Sequence, residues 1–550
     1  MTGGVLPIAE AADHVVTSWD QNVQVHLPHQ GVATSVEWRA GGLLCELLGL
    51  GGEDDGEGEA WLGRTFTTGA TGSNVLGLAC GREAVLGRKI QARKAAAAAA
   101  AAAVRNQGER VLETLKDGEG WGGESESVGE LGLLEACRLA RVEEFQVLTT
   151  MGHSSLSKAA SIVGLGRKSV IDVGLEATPW KFDMEKLEIM LARERTASIV
   201  AVSCGEVNTG RYATSGYAEM RRLRELCDRF GAWLHVDGGE RFFVLFDNRL
   251  PGGLADIHTH TAFGLFARAL PPGDEFAVLR EACEGIELAD SITGDAHKCL
   301  NVVRLFPLSK LPLILAPFQR LSQHLPISLS PSVPYHPNNK KNPPHPTRLT
   351  IPLPIQPYDC GFFLTPSLSL LTSVFRNPNA AYLSLSSSTD TIPSPLNINI
   401  ENSRRFRALP VYAVLVAHGR AGLADIFARQ VRLARLIAAF ISTHSAYELL
   451  HAASAASQTV GSREGSGSTS RSASSASAWE AETSIIVLFR AVHDMVNADL
   501  AARINRSGKI MVSGTAWEGR PAVRIAVSTW MVDVERDMRV VSEVLEGALF

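Results

Sequence analysis

Between residues 178 and 237 the spacing of apolar residues switches back and forth, and this alternation constrains the fold more than any other feature of the chain. TPWKFDMEKLEIMLARER (178–195) has apolar positions near the helical period, and SIVAVSC (198–204) is a continuous apolar run. The turn residues GEVNTG follow, then amphipathic GYAEMRRLRELCDRF (216–230), a stop at Gly231, and a second short run, AWLHVD (232–237). Helix, strand, loop, helix, strand is the rhythm of a mostly parallel sheet covered by helices. In such sheets a ligand lies beyond the carboxyl ends of the strands. The polar residues that close each run are therefore where chemistry is expected.

Composition narrows the class. Of 550 residues, 45% are hydrophobic and 20% charged, enough apolar surface for a large core. A formal net charge of -5 argues against a nucleic-acid binder that works through bulk electrostatics. No apolar run approaches the roughly 20 residues that span a bilayer, so no membrane partner is expected. MTGGVLPIAEAADHVV has no basic region ahead of an apolar one, so a secretory signal is not expected. Eight cysteines without a CxxC pair suit reduced thiols and a cytoplasmic location.

Four stretches stand apart. Nine alanines at 95–103 read as a helix extended by low complexity, and the ten serines of 454–477 read as a flexible loop. Residues 303–356 hold 12 of the 25 prolines, with no glycine and no acidic residue, a density that neither helix nor central strand tolerates. The fourth, GERFFVLFDNRLPGGLADIHTHT (239–261), interrupts the chain directly after AWLHVDG.

Four candidates close the apolar runs. TTGATGSNVLGLACGREAVL (67–86) is a small-residue turn opening a helix, either a plain capped helix or an anion site at a helix N-terminus. His153, in GHSSLSKAA, is either a helix cap or a flat ring that stacks on another. Asp237 ends a buried strand, where a carboxylate must be hydrogen-bonded, must pair with a cation, or must cap a helix. Lys298, in ELADSITGDAHKCLNV, is either an ordinary exposed lysine or a tuned amine that attacks a carbonyl.

Together these segments resemble the group II pyridoxal-phosphate-dependent decarboxylases, the family of the aromatic amino acid and glutamate decarboxylases. The matches are TGATGSN, GHSSLSKAA, SCGEVNTG, WLHVDG, ELADSITGDAHKCLNV, PYDCGFFLT, SRRFRALPVYAVLVAHGRAG and GRPAVRIAVSTW, in the family's order over nearly the whole chain. The resemblance implies an α/β protein of fold type I, like aspartate aminotransferase. It implies a large domain with a mostly parallel sheet (61–404), after an N-terminal segment (1–60), and a small C-terminal α/β domain (405–550). It also implies a homodimer and pyridoxal 5'-phosphate as cofactor. Lys298 would form the Schiff base, Asp237 would partner the pyridine nitrogen, and His153 would stack on the ring. Ala70, Thr71, Ser291 and His297 would hold the phosphate. The implied activity is decarboxylation of an L-amino acid to the amine. The alternatives are a related lyase, an aldehyde-forming oxidative decarboxylase, or a catalytically dead member.

Departures from the family pattern stand at Gly72 (usually acidic), Cys299 (usually tryptophan) and Glu206 (usually threonine). In the family a mobile loop ahead of SRRFRALP often carries a tyrosine that protonates the carbanion. Here LSLSSSTDTIPSPLNINIEN (383–402) has none, and the nearest is Tyr382. The family pattern also runs directly from HVDG to AFGLFARAL and from HKWLNV to PYDCG. Segments 239–261 and 303–356 therefore read as insertions of untranslated type, the alternative being insertions that the fold tolerates. DIHTH (256–260) looks like a metal-binding His-x-His but falls inside the first insertion, so no metal site is expected.

Overall fold

Eight consecutive buried residues, Thr196–Ser203, make an interior strand of the large sheet. A strand covered on both faces needs no polar alternation, which is why it reads as one apolar run. In the computed structural model of the chain, the described residues are 5–19, 22–51, 61–105, 127–238, 264–302, 359–377, 392–450 and 475–550. Both expected insertions, together with Tyr382 and the first part (383–391) of the tyrosine-free stretch, lie outside them.

In chain order the first strand, β1 (Asn22–Val23), pairs antiparallel with β9 (Arg404–Arg405). The large sheet holds β2 (Gly63–Thr67), β3 (Glu144–Thr149), β4 (Val170–Asp172), β5 (Thr196–Ser203), β6 (Trp233–Gly238), β7 (Ser291–Asp295) and β8 (Gly361–Thr365). Their order is β2-β8-β7-β6-β5-β3-β4. Neighbours run parallel except at β8, which is antiparallel to both β7 and β2. The expected mostly parallel sheet is present, and the helices Met184–Leu191 and Tyr217–Phe230 fall where the periodicity puts them. The first is capped by Asp183, which accepts from Lys186 N, and the second ends at Gly231 (φ 67°).

Helix α1 (Pro7–Ser18) precedes α2 (Ala33–Leu48), and α3 (Ala70–Arg105) takes in the alanine run. Helix α3 lies across the sheet face that carries Trp233, His235 and Asp237. Two glycines permit its close approach. A Cβ at Gly77 would fall 2.5 Å from His235 Cε1, and one at Gly81 would fall 2.8 Å from Trp233 Cδ1. The alternate residues of β6, Leu234 and Val236, join the core on the opposite face with Leu44, Leu223, Leu265 and Phe427.

A second sheet of β10 (Tyr447–Leu449), β11 (Ile486–Ala491), β12 (Ser513–Trp517) and β13 (Arg520–Ala526) is antiparallel, in the order β10-β11-β13-β12. The helix Ala408–Thr443 serves both cores. Val411 and Phe427 pack in the first, and Leu433, Ile437 and Ile441 pack under the second sheet. By length and composition this helix could cross a membrane, which the sequence pattern did not suggest. It breaks from helical geometry at Gly419 (φ 56°), and its apolar face is spent on the two cores. The serine-rich stretch also differs from expectation at one end. Ser475–Glu482 is helical, while residues 454–474 lie outside the described set.

The chain closes on itself at both interruptions. A Cβ on Gly238 would touch Leu265 Cδ1 at 2.3 Å, so the residues on either side of 239–263 are packed together. Likewise His297 N donates to Cys360 O at 3.1 Å, and Asp295 is in register with Gly361.

Candidate active site

Strand β2 delivers the turn that opens α3. Gly69 takes φ 141°, a conformation open to glycine, and Thr67 Oγ1 lies 2.6 Å from Ser73 Oγ across the turn. Ala70 N, expected to face a phosphate, donates instead to Asp295 Oδ1 at 2.6 Å. The helix N-terminus thus already receives an internal carboxylate. Thr71 Oγ1 is buried with no hydrogen-bond partner among the described residues.

His153 does cap a helix. It stands at the N-cap of Ser154–Ile162, and its Nδ1 accepts from Ser155 N at 3.1 Å and lies 2.5 Å from Ser155 Oγ. Its ring is nonetheless buried, so capping and a second role are compatible.

Asp237, on β6, is buried at the carboxyl end of the strand, in register with Ser203 of β5 and Thr293 of β7. Asn74, one turn into α3, donates through Nδ2 to Asp237 Oδ2 at 3.0 Å and to Ser155 Oγ at 3.0 Å. Thr293 Oγ1 approaches Asp237 Oδ1 at 3.5 Å and donates to Asn74 Oδ1 at 3.1 Å. Asp237 and His153 are therefore brought together through Asn74 and Ser155. Neither connecting residue was singled out from sequence. Asn74 stands inside TGATGSN, but nothing in its spacing marks it.

Ser291 sits elsewhere. It is the first residue of β7, two positions below the level of Asp237, and its Oγ lies 3.0 Å from Trp233 Nε1 and 2.7 Å from His235 Nδ1. Its hydroxyl is engaged in the buried layer under the site rather than beside Ala70 and Thr71. His235 is fully buried, and that burial pulls its pKa down to about 3, so the ring is neutral.

His297 follows β7 and donates from Nδ1 to Cys360 O at 3.0 Å. Lys298 belongs to the short helix Ala296–Cys299, directly after β7; its side chain and that of Cys299 lie outside the described residues. Glu206, in the loop after β5, is buried and accepts from the backbone and side chains of Asn208 and Thr209. Burial raises its pKa, against those hydrogen bonds and the charge of Arg524. Arg524, on β13 and itself buried, donates to Val207 O at 2.7 Å, so the second sheet fixes this loop. Among the described residues no cluster of metal-ligating side chains occurs.

No protein-family model matches the chain. Over 181 residues it is 26% identical to an aspartate 1-decarboxylase of Aliivibrio fischeri, a match covering 33% of this chain and 27% of that protein. Over 291 residues it is 20% identical to an L-2,4-diaminobutyrate decarboxylase of Acinetobacter baumannii, covering 53% and 42%. The matches thus span about a quarter to two fifths of the length of these curated relatives. Among solved structures it is similar to the glutamate decarboxylase domain of a Vibrio parahaemolyticus diaminobutyrate–pyruvate transaminase and L-2,4-diaminobutyrate decarboxylase. That match has a TM-score of 0.57 at 17% identity and covers 100% of this chain and 79% of the other. It is also similar to Oryza sativa TDC with PLP and tryptamine (0.58, 17%, 100% and 81%) and to Rhodiola rosea 4-hydroxyphenylacetaldehyde synthase (0.59, 14%, 100% and 81%).

Proposed function

We propose that this chain, which is related in sequence to the pyridoxal-phosphate-dependent amino acid decarboxylases and has their fold, binds pyridoxal phosphate and removes the carboxyl group of an L-amino acid. One observation carries the reading: α3, the loop after β3 and the end of β6 converge so that Asn74 bonds to Asp237 and, through Ser155, to His153.

The donor set fits the cofactor. A buried carboxylate at a strand end suits a protonated pyridine nitrogen, and a buried imidazole beside it suits a ring face. The Thr71 hydroxyl, buried with no hydrogen-bond partner among the described residues, suits a phosphate oxygen. When bound, pyridoxal phosphate supplies an aldehyde that takes up amines and a ring that accepts the electron pair released with CO₂. Lys298 would anchor the aldehyde. Asp237 would hold a proton at the ring nitrogen, and His153 would keep the ring flat and exclude water from one face. The described residues offer no tyrosine at the loop ahead of β9 to return a proton to the substrate carbon.

A homodimer fits this reading. Ile8, Val15 and Trp19 lie exposed along one face of α1, while Ala9, Ala12 and Val16 are buried on the other. A cytoplasmic location fits the seven described cysteines, all free thiols. Aldehyde-forming chemistry is the second reading, favoured by the lack of a tyrosine within 383–402.

The test is chemical. The protein loaded with pyridoxal phosphate and reduced with borohydride should carry the label on one peptide, that of Lys298. Label elsewhere, or label that persists in Lys298→Ala, overturns the assignment.

A further inference from the structure

Asn74 uses its whole amide. Its two N–H groups go to Asp237 Oδ2 and Ser155 Oγ, and its carbonyl oxygen takes Thr293 Oγ1 and His235 Nε2, the last at 3.0 Å. The directions of the surrounding bonds follow from this. Asn74 Oδ1 can only accept, so His235 must carry its proton on Nε2. Nδ1 of His235 is then an acceptor, and Ser291 must donate to it. Ser291 accepts in turn from Trp233 Nε1, which can only donate. On the other branch Ser155 accepts from Asn74 and donates to His153 Nδ1. The bonds therefore all point one way, from Trp233 through Ser291, His235 and Asn74 to the Asp237 carboxylate. Rotating the Asn74 amide by half a turn would set its oxygen against the acceptor-only Asp237 carboxylate, so the carboxylate selects this orientation and with it the His235 tautomer.

We propose that Asn74 is a positioning residue that joins the two ring-contacting groups into one unit. It orients Asp237 as a charged acceptor and, through Ser155 Oγ, holds the His153 ring, whose Nδ1 also accepts from Ser155 N, in place beside it. Hydrogen bonds donated to a carboxylate favour its charged form, and an oriented chain of donors reinforces the last of them. The inference rests on the cofactor reading above and assigns roles within it to Asn74, and behind it to His235.

The test uses the full chain and pyridoxal phosphate itself. Asn74→Leu should weaken pyridoxal phosphate binding by about tenfold or more, the size of a lost hydrogen bond to a charged group. It should also shift the visible absorption band of the bound cofactor, and lower kcat with KM changed by less than about threefold. His235→Gln, whose amide can still donate to Asn74, should keep the wild-type band, whereas His235→Leu should shift it. Thermal melting of the cofactor-free proteins shows which variants fold, and the His235 pair decides the matter if Asn74→Leu does not. A folded Asn74→Leu with unchanged band and affinity overturns the proposal, as do His235→Gln and His235→Leu that behave alike. Wild-type protein that binds no pyridoxal phosphate overturns the underlying reading and the assignment with it.

Discussion

His235 Nδ1 lies 2.7 Å from Ser291 Oγ, a contact that holds a neutral imidazole in the layer directly beneath Asp237. Its pKa falls from 6.5 to about 3 because burial disfavours the charged ring. Between those two values the unfolded chain takes up a proton that the folded chain refuses. Stability should therefore fall as the pH drops below 6.5, by about 1.4 kcal/mol per pH unit from this group alone. His235→Gln should flatten that part of the acid limb. Urea midpoints measured across the range check it, and an unchanged slope in the variant would show that His235 does not titrate on unfolding.

Asp237→Asn keeps the shape of the side chain and removes its charge. Some cofactor should remain bound, while kcat should fall by roughly two to four orders of magnitude, because an unprotonated ring is a poor electron sink. Steady-state kinetics on loaded protein measure this. A loss under about tenfold would remove Asp237 from its assigned role.

Two alanine substitutions in α3 should have opposite signs. At Gly77 a methyl would fall 2.5 Å from His235 Cε1, against a ring held at both nitrogens, and should cost about 1–3 kcal/mol. At Gly87 nothing lies within 4 Å, so the same change should stabilise the helix by about 0.5–1 kcal/mol. Chemical denaturation of Gly77→Ala and Gly87→Ala reads both. Equal effects would contradict the close seat of α3 on β6.

Deleting 239–261 and 303–356 together should leave a folded protein. The residues flanking each interruption already pack on one another, through Gly238 with Leu265 and His297 with Cys360, and shorter loops cost less entropy to close. Soluble yield and cofactor occupancy at or above those of the full chain are expected. A deletion protein that aggregates would show that these segments contribute to the fold.

The sheet and its flanking helices were legible because period and turn residues mark them locally. Strand β5 reads as an apolar run because it lies inside the sheet with both faces covered, and Gly231 marks the end of the helix before β6 by taking φ 67°. Asp237 and His153 stood out because a polar group at a strand mouth or helix start demands a partner. Asn74, Ser155 and Thr293 did not, since a small polar residue in a helix or strand becomes a hub only through neighbours distant in sequence. Ser291 shows the reverse. Its motif suggested a phosphate contact, but its place at the start of β7 sets it below the site. The resemblance puts Ala70 at the phosphate, but nothing local to it announces the carboxylate of Asp295, 225 positions away, which takes its N–H.

The most direct test of the account is the release of CO₂ by the pyridoxal-phosphate-loaded protein, offered a panel of aromatic and acidic L-amino acids, with amine, aldehyde and peroxide assayed in parallel. The account predicts CO₂ with an equal amount of amine from at least one of them. Aldehyde with peroxide would move the reading to oxidative decarboxylation, and no CO₂ from any amino acid despite bound cofactor would contradict it.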